Sequence, residues 1–188
     1  MSIVLDYLQG RGAPFLVLPK PESASVEDTA AAHTIRTDEL IRGDVLIGRG
    51  GPALLVVPWN RSLSLDLARK ALGDPTARLA TDAEIASVAD GAEPGAVPPL
   101  PLLFMLPMYV DPAVAAMPQA VFPAGRASLL ICMQREELFG ADPYVVAPLT
   151  HGSDVAPEAL PPARKRAVTA KDLLPVHLSR RGSQAGTS

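Results

Sequence analysis

The 188-residue sequence predicts an α+β fold, with a largely antiparallel or mixed sheet and short helices packed against it. Three observations point there. Apolar segments of strand length mix with helical patterns at hairpin-like spacings, without the strand–helix–strand cadence of a doubly wound parallel sheet. Twenty prolines, roughly double the usual ~5% share, exclude long uninterrupted helices. Hydrophobic residues make up 48% of the chain and aromatics 4%, so a core is available and it is aliphatic.

Ser2 is placed to cap a first short helix, with Ile3, Leu5, Tyr7 and Leu8 as packing candidates and Gly10 and Gly12 as the stop. Phe15–Leu18 reads as a strand ended by Pro19 and Pro21. Ser25, followed by Glu27 and Asp28, opens a second helix through Ala30–Ala32, its acidic residues where the helix dipole favours them. Thr37-Asp-Glu-Leu-Ile41 adds one helical turn. Asp44–Gly48 and Ala53–Pro58 flank Arg49-Gly-Gly-Pro52 and form a hairpin. Ser62 or Ser64 caps a helix that ends at Leu72 because Gly73 follows. After a short strand at Ala77–Ala80, Thr81 and Glu84 make a capping box for a helix through Val88. The loop Gly91–Pro101 leads to strands near Met108–Val110, Ala120–Pro123 and Ser128–Met133, and to a last helix around Gln134–Leu138.

From about Asp142 the pattern fades. Residues 151–188 hold six Lys/Arg against three Asp/Glu, net +3, which leaves net −6 on residues 1–150 of a chain with net charge −3. The expected division is a domain over 1–141 and a Pro-rich, basic, disordered tail over 142–188. The acidic balance argues against a nucleic-acid coat protein and against a DNA-binding role. No segment reads as a signal peptide or a membrane span: Asp6 interrupts the apolar start, and Val97–Val110 is short and broken by prolines. With Cys132 as the single cysteine, neither an internal disulfide nor a thiolate zinc site is expected, and the cytoplasm is the expected compartment.

Standard catalytic motifs are missing: there is no nucleophile elbow, P-loop or dinucleotide fingerprint. His33, His151 and His177 are scattered, so neither a metal nor a cofactor is expected. Cys132 lies in an apolar strand and reads as a small buried hydrophobe. Asp111 before Pro112 reads as a turn former. Trp59-Asn-Arg61 offers either a stacking surface for a base or simple packing. The segment that stands out is Glu93-Pro-Gly-Ala-Val-Pro-Pro99. Its prolines stiffen a loop in which Gly95 permits close approach, so the N–H groups of Gly95, Ala96 and Val97 are candidate donors to a carbonyl oxygen or oxyanion. The alternative is a Pro-rich turn with no ligand.

The order of several segments resembles the YbaK/prolyl-tRNA synthetase-associated domain family, whose members are mostly aminoacyl-tRNA deacylases. The carriers are Leu54-Leu-Val-Val-Pro58, Leu63–Gly73, Ala77–Glu84, Glu93–Pro99, Met108-Tyr-Val-Asp111, Val121-Phe-Pro-Ala-Gly-Arg126 and Gln134–Leu138. The resemblance implies a mixed, barrel-like sheet flanked by helices, with the acyl group held beside the glycine loop and no obligatory protein nucleophile. It implies Arg42, Gly95 and Ala96 as catalytic positions, Val97, Lys20, Gly125 and Arg126 as substrate-binding ones, and the tRNA acceptor end as partner. Arg42 stands where the family usually has a lysine, Lys20 where it often has a histidine, Pro123 where a small polar residue is common, and Pro101 where a glycine is common; Gly95 is kept. Arginine stays protonated at physiological pH, so Arg42 is a clamp and not a base. Two functions follow from this pattern: hydrolysis of a mischarged small amino acid from tRNA, or a deacylase-like domain without catalysis that binds a tRNA end, a small ligand or a protein. The oligomeric state is left open.

Overall fold

The chain turns back on itself at Arg49-Gly50, and the hairpin made there organises what surrounds it. In a computed structural model that describes residues 2–21, 24–140 and 142–152, β2 (Ile41–Gly48) pairs with β3 (Gly51–Pro58) along eight residues, from Ile41 opposite Pro58 to Gly48 opposite Gly51. The strands are longer than the expected Asp44–Gly48 and Ala53–Pro58, since Arg42 and Gly43 find partners in Val57 and Val56.

Five strands form one mixed sheet in the order β4-β2-β3-β5-β8, where β4 is Arg78–Leu79, β5 Met108–Val110 and β8 Val145–Val146. β2 is antiparallel to β3 and β4, whereas β3–β5 and β5–β8 are parallel. A second, antiparallel sheet has the order β1-β7-β6, built from β1 (Leu16–Pro19), β7 (Leu129–Gln134) and β6 (Gln119–Pro123). The α+β class and the mixed sheet are therefore present. Among the described residues the barrel is not closed: the ladder link between the sheets is the single parallel bridge Leu40–Val121, and one bridge leaves the edges of both sheets open.

The helices follow their caps. Ser25 and Asp28 form the capping box of α2 (Val26–Ala32), and Thr81 and Glu84 that of α4 (Asp82–Val88). Ser64 caps α3 (Leu65–Leu72), and Gly73 ends it at φ +66°. α1 (Ile3–Gly10) starts after Ser2 without a side-chain capping bond, and it packs through Val4 and Leu8 while Ile3 is exposed. Thr37–Glu39 is a 3-10 turn. Two one-turn helices were not expected from the sequence, α5 (Pro101–Phe104) and α6 (Pro112–Ala115); each begins at a proline, whose missing N–H costs nothing in the first helical position. α7 (Arg135–Phe139) closes the regular order before β8.

Strand alternation divides the core. Val45, Leu54 and Val56 face a large cluster with Val4 and Leu8 of α1 and Ala120, Phe122, Ile131 and Met133 of the second sheet. Leu46, Leu55 and Val57 face the other way, against Ala68 of α3 and Leu149. A third cluster joins Leu18, Val26, Leu40, Val121 and Leu130, with Trp59 at its margin.

The expected boundary at 141 falls inside this packed body. β8 pairs with β5, Leu149 is fully buried, and buried Asp142 pairs with Arg11 at 3.2 Å. Asp111 explains the capture of this segment. Fully buried, it accepts from Ala113 N–H through one oxygen and from Leu149 N–H, Thr150 N–H and the Thr150 hydroxyl through the other, at 3.0–3.1 Å. The turn former with Pro112 is thus also an anchor between residues 38 and 39 positions apart. The rest of the expected tail, 153–188, lies outside the described residues.

Asp111→Ala removes the acceptor shared by Leu149 N–H, Thr150 N–H and the Thr150 hydroxyl and is expected to cost about 3 kcal/mol or more, measured by urea unfolding, with Asp111→Asn costing less.

Candidate functional site

Pro94 and Gly95 occupy the two central positions of a tight turn. Ala96 N–H donates to the Glu93 carbonyl at 2.9 Å, and Gly95 has φ +74°, which together with proline in the preceding position define a type II turn. The turn is clamped to the β6–β7 connection. Glu93 N–H donates to the Gly125 carbonyl and Gly125 N–H to the Ala96 carbonyl, both at 3.0 Å, while Ala127 N–H donates to the Glu93 carboxylate at 2.8 Å. Gly125 takes φ +84°, where a side chain would be strained.

This geometry corrects part of the expected donor set. Ala96 N–H is engaged inside the turn, and Ala96 and Val97 are buried. Val97 forms an antiparallel bridge with Gly43, and its carbonyl sits where a Gly43 Cβ would lie, 2.6 Å away. Gly95 is exposed, and among the described residues its N–H meets no acceptor. Of the three expected donors, Gly95 is the one on an exposed residue whose N–H meets no acceptor among the described residues.

Arg42 lies one residue from that bridge, but strand alternation turns it away. Gly43 shares its face of β2 with Ile41 and Val45, whereas Arg42 and Asp44 share the face of Leu46. The Arg42 guanidinium donates to the Trp59 carbonyl at 2.8 Å and to the Asp44 carboxylate at 3.3 Å, with the two side chains 22% and 20% exposed. Burial raises the Asp44 carboxyl above the ordinary carboxylate range, against the opposing pull of Arg42. Trp59 packs beside the third core cluster and donates its indole N–H to Glu27, which supports the packing role over a free stacking surface.

The other expected positions are brought to the clamped end. Lys20 N–H donates to the Ser128 carbonyl at 2.9 Å, which places Lys20 beside the β6–β7 turn, but its ammonium folds back onto the carbonyls of Ala24 and Pro21. Gly125 and Arg126 line a cavity of about 530 Å³ with Ser2, Ala92, Phe104 and Ser128. A second, of about 290 Å³, lies between Arg36, Asn60 and Met117. Neither includes Arg42 or Gly95 among its lining residues. Burial pushes the Cys132 thiol up to about 11, with the Glu39 charge adding to it, so no thiolate is present at neutral pH. Among the described residues no three His, Cys, Asp or Glu side chains gather as metal ligands, and no helix is long and apolar enough to cross a membrane.

Glu93 is the residue of this clamped turn that the sequence did not single out. Its signal was the Glu-Pro-Gly-Ala order itself, because proline and glycine at the centre of a turn direct the fourth residue's N–H to the first residue's carbonyl.

The class the geometry defines is a mixed two-sheet α+β domain with a glycine turn clamped across two strand ends. The chain belongs to the family described as the aminoacyl-tRNA editing domain, which matches residues 20–141. Among solved structures, a protein described as a candidate trans-editing enzyme for prolyl-tRNA synthetase is 26% identical, with a TM-score of 0.70 over 80% of this chain and 96% of that one. A hypothetical protein at 22% identity has a TM-score of 0.68 over 79% and 99%. A candidate signal transduction protein from Marinobacter aquaeolei VT8, at 19% identity, has a TM-score of 0.58 over 79% of this chain and 30% of its own. The last two show the fold alone. No curated protein sequence matches at a significant level.

Two outcomes follow from the geometry. Gly43→Ala drives a Cβ into the Val97 carbonyl and is expected to cost about 1–3 kcal/mol in denaturant unfolding. Asp44→Asn removes a carboxyl whose folded value is raised, a group that favours the folded state at low pH and loses that contribution as pH rises through its folded value. The melting temperature of the variant relative to the unmodified protein is therefore expected to climb as pH rises through and above the ordinary value of 3.8, then level off.

Proposed function

We propose that this protein hydrolyses the ester between a mischarged small amino acid and the terminal ribose of a tRNA. The observation that carries the reading is the editing-domain match over residues 20–141, a span that holds the clamped Gly95 turn. The solved neighbour described as a candidate trans-editing enzyme for prolyl-tRNA synthetase supports the same class of substrate. In this reaction water adds to the ester carbonyl, negative charge develops on the carbonyl oxygen, and the ribose hydroxyl leaves with a proton. Gly95 N–H is the donor offered to that oxygen, and the type II turn fixes its direction before the substrate arrives. Gly125 and Arg126, on the other side of the clamp, supply a contact and a cation to the acceptor end. Lys20 lies at the same end with its ammonium held by main-chain carbonyls, and Arg42, on the opposite face of β2, stays a fixed cation bound to Asp44 and Trp59 and not a base in this step.

A second reading, a deacylase-like module that binds a tRNA end without cleaving it, draws on the Arg42 contacts. A guanidinium already held by Asp44 and the Trp59 carbonyl leaves its partners only at a cost.

Deacylation measured on a panel of mischarged tRNAs separates the two. The unmodified protein is expected to release the amino acid, and Gly95→Pro, which deletes the N–H and reverses the sign of φ, to lose about a hundredfold or more in rate. An unchanged rate in Gly95→Pro overturns the carbonyl site. Binding of charged tRNA without release in the unmodified protein establishes the second reading.

A further inference from the structure

We propose that Glu93 is a positioning residue, whose carboxylate sets the Gly95 turn by bolting it to the turn that carries Arg126. The functional half of this inference rests on the deacylase reading. Four hydrogen bonds hold the two turns: Ala96 N–H to the Glu93 carbonyl, Glu93 N–H to the Gly125 carbonyl, Gly125 N–H to the Ala96 carbonyl, and Ala127 N–H to the Glu93 carboxylate. The first three run between main-chain atoms and need no particular side chain at position 93. The fourth exists only because a side chain of this length ends in an acceptor oxygen.

That fourth bond spans 34 positions in sequence and reaches over Gly125 and Arg126 to close on Ala127. An ionised acceptor makes it stronger than a neutral amide pair. It encloses both turns in one ring of contacts, so the direction of the Gly95 N–H and the place of Arg126 are set together. Pro94 transmits the restraint, since a residue before proline is held in extended backbone and the proline ring fixes the next φ.

The position of Glu93 argues for alignment over bulk stability. Glu93, Pro94 and Gly95 are exposed, and Glu93 belongs to none of the three core clusters. A displacement of about 1 Å in a group facing the reacting atoms lowers a rate far more than it lowers stability, by up to a hundredfold.

The test compares Glu93→Ala, which has no acceptor, with Glu93→Gln, which keeps an oxygen at the same reach. Two readouts are taken on the full chain: single-turnover deacylation of mischarged tRNA, and amide hydrogen exchange at Ala96 and Gly125, whose N–H groups do not touch the carboxylate. Glu93→Ala is expected to exchange about tenfold faster at both amides and to lose about tenfold or more in turnover with a smaller change in substrate binding, while Glu93→Gln restores both within about threefold. Exchange unchanged in Glu93→Ala, or Glu93→Gln as loose as Glu93→Ala, overturns the proposal. Faster exchange with undiminished turnover also overturns it, since the bolt then fixes nothing the chemistry uses. Should the unmodified protein release no amino acid, the deacylase reading fails by itself, and exchange alone then decides whether Glu93 sets the turn.

Discussion

The third strand has no side that can face water. Leu54, Leu55, Val56 and Val57 are all fully buried, two toward each face, so the sheet must be covered on both sides. Burying each such side chain is worth about 1.5–3 kcal/mol, more than any surface contact in the molecule. The antiparallel sheet and α1 cover one face, and α3 and Leu149 the other. Because β2 is the hairpin partner of this strand, its alternation is fixed too. Arg42 is committed to the α3 face and Gly43 to the face that receives the Val97 carbonyl. The placement of the polar groups is thus a by-product of an apolar requirement.

Features written within a few residues were legible in the sequence. The Ser25–Asp28 and Thr81–Glu84 boxes, the Gly73 stop and the hairpin at Arg49-Gly50 each depend on local hydrogen bonds or local φ values. What depended on distant partners was not. Val145–Val146 carries no alternation to read, and it is a strand only because β5 and Asp111 hold it. α5 and α6 were missed for another reason: Pro101 reads as the end of a loop and Pro112 as part of a turn, although proline at a first helical position starts a helical turn. The open sheets were likewise beyond reach, since closure depends on how many bridges join two sheets.

The candidate site divides along the same line. The loop around Gly95 was legible as rigid, and the family follows from segments distributed along the chain. Its donors were read too generously. Exposing three consecutive N–H groups conflicts with a Pro-Gly turn, which claims the fourth residue's amide for itself. The resemblance joins Arg42 to the Gly95 loop, while a period of two residues separates them onto opposite faces. Lys20, Gly125 and Arg126 lie at one end of the molecule, because strand pairing of β1 and β6 with β7 carries them there together.

The anchor at Asp111 also sets an order of events in the cell. As the polypeptide leaves the ribosome, at about 5–20 residues per second, the hairpin and α3 emerge early and can meet at once. Leu149 and Thr150, which fill the α3 face and satisfy the buried carboxylate, emerge roughly a hundred positions after the hairpin begins. Until then, the apolar underside of that sheet stands open and an ionisable group lacks the donors intended for it. A nascent chain with this exposure is open to association through that face until Leu149 and Thr150 dock.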